Sequence, residues 1–277
     1  MDSESFLINQ LSSKHIGDDG AVIGNMVYSV DAFYENIHFK REWMSLEQIA
    51  QKAMLVNISD AIAMNATPKY ALVSISIPKD ISREDILILT TSLEESANKF
   101  GCEIIGGDTV GGDKLDISIT IISKSDNPLY RKGLKSGDLL AFTGHLGDSK
   151  RDLDRLFNGE KIDKNSRFFI PTLRDEFIYK SRKFLSVGMD ISDGLYCDTN
   201  KLLEYNNLGF DILIDINDDI GDSGEEYEML IGFNKVNLDN ILKISADTNT
   251  PITVFAEVVD NNRRFNCKSH HFDLEII

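Results

Sequence analysis

Apolar and polar positions change period several times along the chain, and each change marks an element. Ser45 with Gln48 three residues on forms a capping box, predicting a helix over roughly 46–66. Its apolar stripe runs Ile49, Ala53, Val56 and then Asp60, so a carboxylate falls in line with the buried face. Tyr70 to Ile77 reads as a buried strand closed by Pro78. Ser82 caps a second helix to about Phe100, with Ile86, Leu89, Leu93 and Ala97 on one face. Glu103-Ile104-Ile105 leads as a strand into a turn at Gly106-Gly107-Asp108-Thr109, and Leu115 to Ile122 alternates as another strand. With a strand at 26–32, the first half has an α+β pattern, strand-helix-strand-strand-helix-strand, of ferredoxin-like type.

Asn127-Pro128 and Lys135-Ser136-Gly137-Asp138 predict a boundary near residue 133, dividing the chain into units 1–133 and 134–277. The second unit reads as a mixed α/β sandwich. Strands are expected at 139–143, 187–191, 210–216, 252–259 and 264–274. Helices are expected after Ser149, after Pro171 and from Asp193 through Leu203. The chain of 277 residues, 42% of them apolar, is long enough for two cores.

Charge narrows the function. Forty-five acidic against 29 basic residues give −16, which argues against nucleic acid and anionic membrane surfaces as partners. Three scattered cysteines without a CxxC spacing make neither a disulfide framework nor a zinc site expected. Met1–Gln10 has neither a basic nor an apolar signal region, and no apolar run reaches membrane-spanning length, so a cytoplasmic protein is expected.

Six aspartates stand beside glycine, serine or small apolar residues rather than in solvated runs: Asp19, Asp31, Asp60, Asp108, Asp190 and Asp193. Burying such charges is costly unless a cation meets them. Hard oxygen donors near Gly-rich turns suit Mg²⁺ accompanied by a nucleotide phosphate. Neither GxxxxGK[ST] nor a GxGxxG after a strand is present, so phosphate recognition falls to metal ions and carboxylates. Each motif has a plainer reading: Asp193 as a helix N-cap, Gly17-Asp18-Asp19-Gly20 as an Asx turn, His38 as an ordinary core or surface histidine, and Glu225-Glu226-Tyr227-Glu228 as an acidic helical turn.

Taken together and in order, IGDDGAVI, YSVDAFYENIHF, KAMLVNISDAIAMNATP, IIGGDT, YRKGLKSGD, MDISDGL and SGEEYEML resemble the thiamine-monophosphate kinases, within the aminoimidazole-ribonucleotide-synthetase-like ATP-binding superfamily. The resemblance implies transfer of the ATP γ-phosphoryl group to thiamine monophosphate by direct in-line attack, with several Mg²⁺ ions. It also implies a homodimer in which the N-terminal units join their sheets. Asp19, Ser29, Asp31, Asp60, Asp108, Asp190 and Asp193 match metal-ligand positions, with Asp60 and Asp108 stabilising charge. Gly107, Asp108, Arg131 and Ser192 match ATP-contacting positions, and His38 and Glu225 match substrate contacts. No general base is implied, because the acceptor is an ionised phosphate oxygen. The chain departs from the family pattern at Val30 (usually Thr), Asn65 (usually Gly), Glu226 (usually Asp) and Ser269 (usually aromatic). Two rivals stay open: a sibling ATP-using enzyme of the superfamily, and a drifted, non-catalytic nucleotide-binding protein.

Overall fold

The computed structural model describes residues 3–267. After a short helix α1 (Ser3–Gln10), the first half builds one five-stranded sheet from β1 (Ala21–Ile23), β2 (Met26–Tyr34), β3 (Thr67–Pro78), β4 (Glu103–Gly112) and β5 (Asp116–Lys124). Helices α2 (Leu46–Ala63) and α3 (Arg83–Asn98) lie between these strands in sequence. The spatial order is β1-β2-β5-β3-β4; β3 and β4 are parallel and the other neighbours antiparallel. From β2 onward the elements therefore run strand-helix-strand-helix-strand-strand, which differs from the expected ferredoxin-like order.

The second half carries β6 (Asp138–Thr143), α4 (Asp148–Phe157), α5 (Asp175–Ser181), β7 (Val187–Asp190), α6 (Leu195–Asn206), β8 (Gly209–Ile212), α7 (Asp218–Gly221), β9 (Met229–Asn234), α8 (Leu238–Asp247) and β10 (Ile252–Val259). Its sheet has the order β7-β9-β6-β10-β8 with every pair antiparallel. β9 is an unbroken apolar run, buried except at its last residue, so it shows no alternation. Of the strand expected at 264–274, residues 264–267 are not extended into a ladder, and the rest lie outside the described residues. Among the described residues no helix is long and apolar enough to cross a membrane.

Helix α2 organises the molecule. The Ser45–Gln48 capping box starts it as expected, with the Ser45 hydroxyl accepting from the Gln48 N–H. It is not amphipathic, however. Every residue from Ile49 to Ala63 except Gln51 is buried, because α2 packs on β2 and β5 of the first sheet, on α3, and on β7 of the second. One continuous core follows, joining Ile58, Ile62, Ile117 and Ile119 of the first half to Phe177, Met229, Ile231 and Phe233 of the second.

Two local expectations are corrected. Gly106-Gly107-Asp108-Thr109 is not a turn but part of strand β4, held by parallel pairing with β3. A Cβ at residue 107 would sit 1.7 Å from the Val73 carbonyl oxygen, so glycine there permits the close approach of the two strands. A disulfide does form: Cys197 on α6 is bonded to Cys267, closing 70 residues of sequence, while Cys102 stays free and buried.

The central position of α2 makes a stability prediction. Ile58→Ala removes a fully buried side chain between two sheets and should lower unfolding free energy by about 2–5 kcal/mol. Urea unfolding measures it; a change below about 0.5 kcal/mol would contradict the packing described.

Candidate active site

The acidic centre is assembled from three separate backbone segments. Asp60 comes from the last turn of α2, Asp190 from the end of β7, and Asp19 from the loop before β1. One carboxylate oxygen from each lies within 4.8 Å of the others. All three groups are largely or wholly buried; the Asp19 side chain is 1% exposed. Asp60 stands at a helix C-terminus, where the dipole disfavours a negative charge.

Partners surround this trio without neutralising it. Arg131 donates from its guanidinium to Asp19 and from its backbone N–H to Asp18 at 2.7 Å. Ser59, beside Asp60 on α2, donates its hydroxyl to Asp190 at 2.7 Å. Asn57 accepts the Asp31 backbone N–H at 2.8 Å, tying β2 to the same helix. Burial pushes the Asp60 carboxyl well above the ordinary range, and repulsion from Asp31, Asp190 and Asp19 adds to it while Arg131 opposes. Burial likewise raises Asp190, with repulsion from Asp19 adding and the Ser59 hydrogen bond opposing.

Two buried oxygens in this region have no hydrogen-bond partner: Asp19 Oδ2 and Ser29 Oγ. Together with the trio they form an all-oxygen donor set of the kind that holds a hard divalent cation such as Mg²⁺. Asp31 follows Ser29 by two residues on β2, so both fall on the sheet face covered by α2.

The remaining expected residues divide between a neighbouring cavity and a distant strand. A cavity of about 430 Å³ is lined by His38, Trp43, Phe157, Ser192 and Glu225 among others, and Ser192 stands two residues beyond Asp190 of the trio. His38 Nδ1 accepts the Tyr34 backbone N–H at 2.9 Å, so a neutral ring carries its proton on Nε2. Ser192 is joined to this wall through its carbonyl, which accepts from the Glu225 N–H at 2.8 Å. Asp193 is ion-paired with Lys201.

Asp108 is not part of the trio. In the ladder Asp31↔Ile119↔Val73↔Gly107, three strand spacings separate β2 from β4, or roughly 14 Å. Asp108 alternates from Gly107 onto the sheet face opposite α2, where it is exposed. Gly107 stands beside it, paired with Val73 of β3. Val30 shares that open face and is 61% exposed. Ser269, His271 and Phe272 lie outside the described residues. Phe265 stacks on Tyr196 and on Phe210, both at 4.3 Å between centroids, so its ring belongs to the core of the second sheet.

Two further residues, Asp198 and Glu226, shape the loops of the site. Asp198 is fully buried and accepts the backbone N–H groups of Ser192 and Asp193 at 3.1 and 3.0 Å, which fixes the DISDG loop. Burial raises its carboxyl to about 7 despite the nearby Lys201, and Asp193 adds to the rise. Glu226, in the place of the family's Asp, accepts from the Gly147 N–H and the Ser223 hydroxyl and so anchors the 144–149 loop. The register of Asp198 four residues beyond Gly194 is the signal that could have found it; for Glu226 the fold itself is needed.

Comparison with known proteins decides what this arrangement belongs to. The domain described as AIR synthase related protein, N-terminal domain, matches residues 17–124. A thiamine-monophosphate kinase of Aquifex aeolicus is 30% identical over 213 residues, covering 73% of this chain and 69% of the relative. This chain belongs to the thiamine-monophosphate kinase family. It is accordingly a kinase. The solved structure "AaThiL complexed with AMPPCP and TMP" matches with a TM-score of 0.85 at 24% identity, over 97% of this chain and 96% of that one. The thiamine monophosphate kinase of Aquifex aeolicus solved separately matches with a TM-score of 0.80 at 24% identity, over 92% and 93% of the two chains. These two likenesses extend the family's two-sheet fold over at least 92% of this chain.

The crowding of the acids makes its own prediction. A carboxyl whose folded value is raised binds its proton more tightly folded than unfolded. Its contribution therefore favours the fold at acid pH and opposes it as pH climbs through the raised value. In metal-free buffer, Asp60→Asn should raise stability by ~1 kcal/mol near pH 8, or roughly 2–4 °C in melting temperature. It should also flatten the loss of stability as pH rises above the ordinary carboxylate range. Thermal melts in chelator test this; a variant that melts lower than the parent at pH 8 would contradict it.

Proposed function

We propose that the protein transfers the γ-phosphoryl group of ATP to thiamine monophosphate, giving thiamine diphosphate and ADP. The observation that carries this reading is the buried trio Asp19, Asp60 and Asp190, with orphaned oxygens beside it, opening next to a cavity large enough for an organic ring. The solved relative that holds AMPPCP and TMP shares this fold over nearly its whole length. Domains 1–133 and 134–277 would each contribute one wall of the cleft.

The acceptor is a phosphate monoester oxygen, already ionised near neutral pH, so no side chain needs to remove a proton. That oxygen forms a bond to the γ-phosphorus as the bond to the ADP oxygen breaks, in line with it. Asp19, Ser29, Asp31, Asp60 and Asp190 would hold Mg²⁺, which when bound would supply neutralisation of phosphate charge. Arg131 stands ready to exchange its Asp19 contact for a nucleotide phosphate. His38 and Glu225, both lining the cavity, would contact the thiamine moiety. Asp193, held by Lys201, would take a further metal ion at the mouth, and Ser192 would contact ATP.

Asp108 enters this reading through a homodimer. Tyr28, Val30, Tyr70, Leu72 and Val110 leave an apolar face on the first sheet exposed, away from α2. Asp108 lies on that same face. Pairing two such faces would bury the patch and bring the Asp108 residues of both copies into the shared interface, which makes Asp108 the candidate for a residue shared between subunits.

Two variants test the reading together. Asp60→Asn and Asp108→Asn should each lower ADP formation with thiamine monophosphate at least about a thousandfold while the fold survives. Mixing the two inactive proteins under conditions of subunit exchange should restore about a quarter of wild-type activity, because half the dimers then carry one intact site. Wild-type turnover in either variant removes that residue from the mechanism, and no restoration on mixing places Asp108 outside a shared site.

A further inference from the structure

Lys52 is the one fully buried lysine among the described residues. It lies on α2, seven residues before Ser59 and so on nearly the same face of the helix. Its exposure is nil. An ammonium carries three donors and is strongly hydrated in water, so burial of this kind is costly unless it is well met. Among the described residues, Lys52 Nζ makes one hydrogen bond, 2.9 Å to Glu225 Oε2. The rest of its surroundings is aromatic: its Nζ stands 4.0 Å from the centroid of Phe168 and 5.8 Å from that of Phe33.

Glu225 is an unusual partner. Its φ of +53° lies in the left-handed region, which a side chain with a Cβ adopts at a cost. Two contacts hold it there: its N–H on the Ser192 carbonyl and its Oε2 on Lys52. Its side chain remains 20% exposed and lines the cavity beside His38 and Trp43. One carboxylate oxygen is thus tied down from beneath, which leaves the other to face the cavity as a fixed, charged acceptor.

We propose that Lys52 is a positioning residue for the acceptor substrate: its buried ammonium, caged by Phe168 and Phe33, fixes the charge and direction of Glu225, which then receives an N–H donor of the substrate's heterocycle. The inference rests on the proposed function, because it takes the cavity as the site of the phosphate acceptor. Lys52 touches neither the nucleotide nor the reacting atoms in this reading, so its loss should appear in acceptor affinity.

The test uses the full-length protein with ATP and thiamine monophosphate. Lys52→Met keeps the length and the apolar packing of the stem. It should raise KM for thiamine monophosphate about tenfold or more, with KM for ATP and kcat each within about threefold of wild type. Glu225→Gln should do the same. In the Glu225→Gln background, adding Lys52→Met should change KM less than about twofold, since the lysine acts only through the carboxylate. The double variant removes both charges, and so it remains informative if Lys52→Met alone does not fold. An unchanged acceptor KM in Lys52→Met, equal losses in both KM values and kcat, or full additivity in the double variant would each overturn the proposal. A wild-type protein that binds ATP but does not turn over with thiamine monophosphate would instead overturn the function on which it rests.

Discussion

Asp19, Asp60 and Asp190 are forced into one buried space, and much else in the molecule follows from that. Three carboxylates within 4.8 Å of one another repel strongly in a poorly hydrated site. Arg131 and Ser59 each satisfy one of them, yet burial still holds Asp60 and Asp190 in favour of their protonated forms. A fold that keeps such an arrangement trades stability for readiness to accept positive charge. The structure supplies the compensation elsewhere, in a core that runs unbroken from one sheet to the other.

Helix α2 is the element that makes this trade possible. It is apolar nearly all round because it is packed on several sides, and that packing fixes its few polar residues without freedom to turn outward. Asn57 anchors β2, Ser59 anchors β7, Asp60 joins the acids, and Lys52 reaches the Glu225 wall of the cavity. One helix thus ties the acidic centre to the substrate cavity and couples both to the relative placement of the two sheets. The proposed dimer uses the other face of the first sheet, where the apolar patch and Asp108 lie together.

Much of this was legible in the sequence where local chemistry speaks alone. The helix caps at Ser45 and Ser82 and the strand ended by Pro78 lie where their patterns place them, and three of the carboxylates beside small residues, Asp19, Asp60 and Asp190, come together. Asp60 in line with apolar positions signalled a buried charge, although the helix proved buried on almost every side. The strand β9 was not legible, because a strand covered on both faces loses its alternation. Gly106-Gly107 reads as a turn by composition, whereas tight parallel pairing with β3 makes it a strand. The separation of Asp108 from the trio is a matter of sheet order, which no local pattern records. The Cys197–Cys267 bond likewise depends on the return of the chain to α6 after β10.

The central claim is that the buried acids exist to hold divalent ions between two phosphates. Its most direct test is a crystal of the protein grown with Mn²⁺, a non-hydrolysable ATP analogue and thiamine monophosphate, measured for anomalous scattering at the manganese edge. The account predicts anomalous peaks coordinated by Asp19, Asp60 and Asp190. Both ligands bound with no peak among those carboxylates would contradict it.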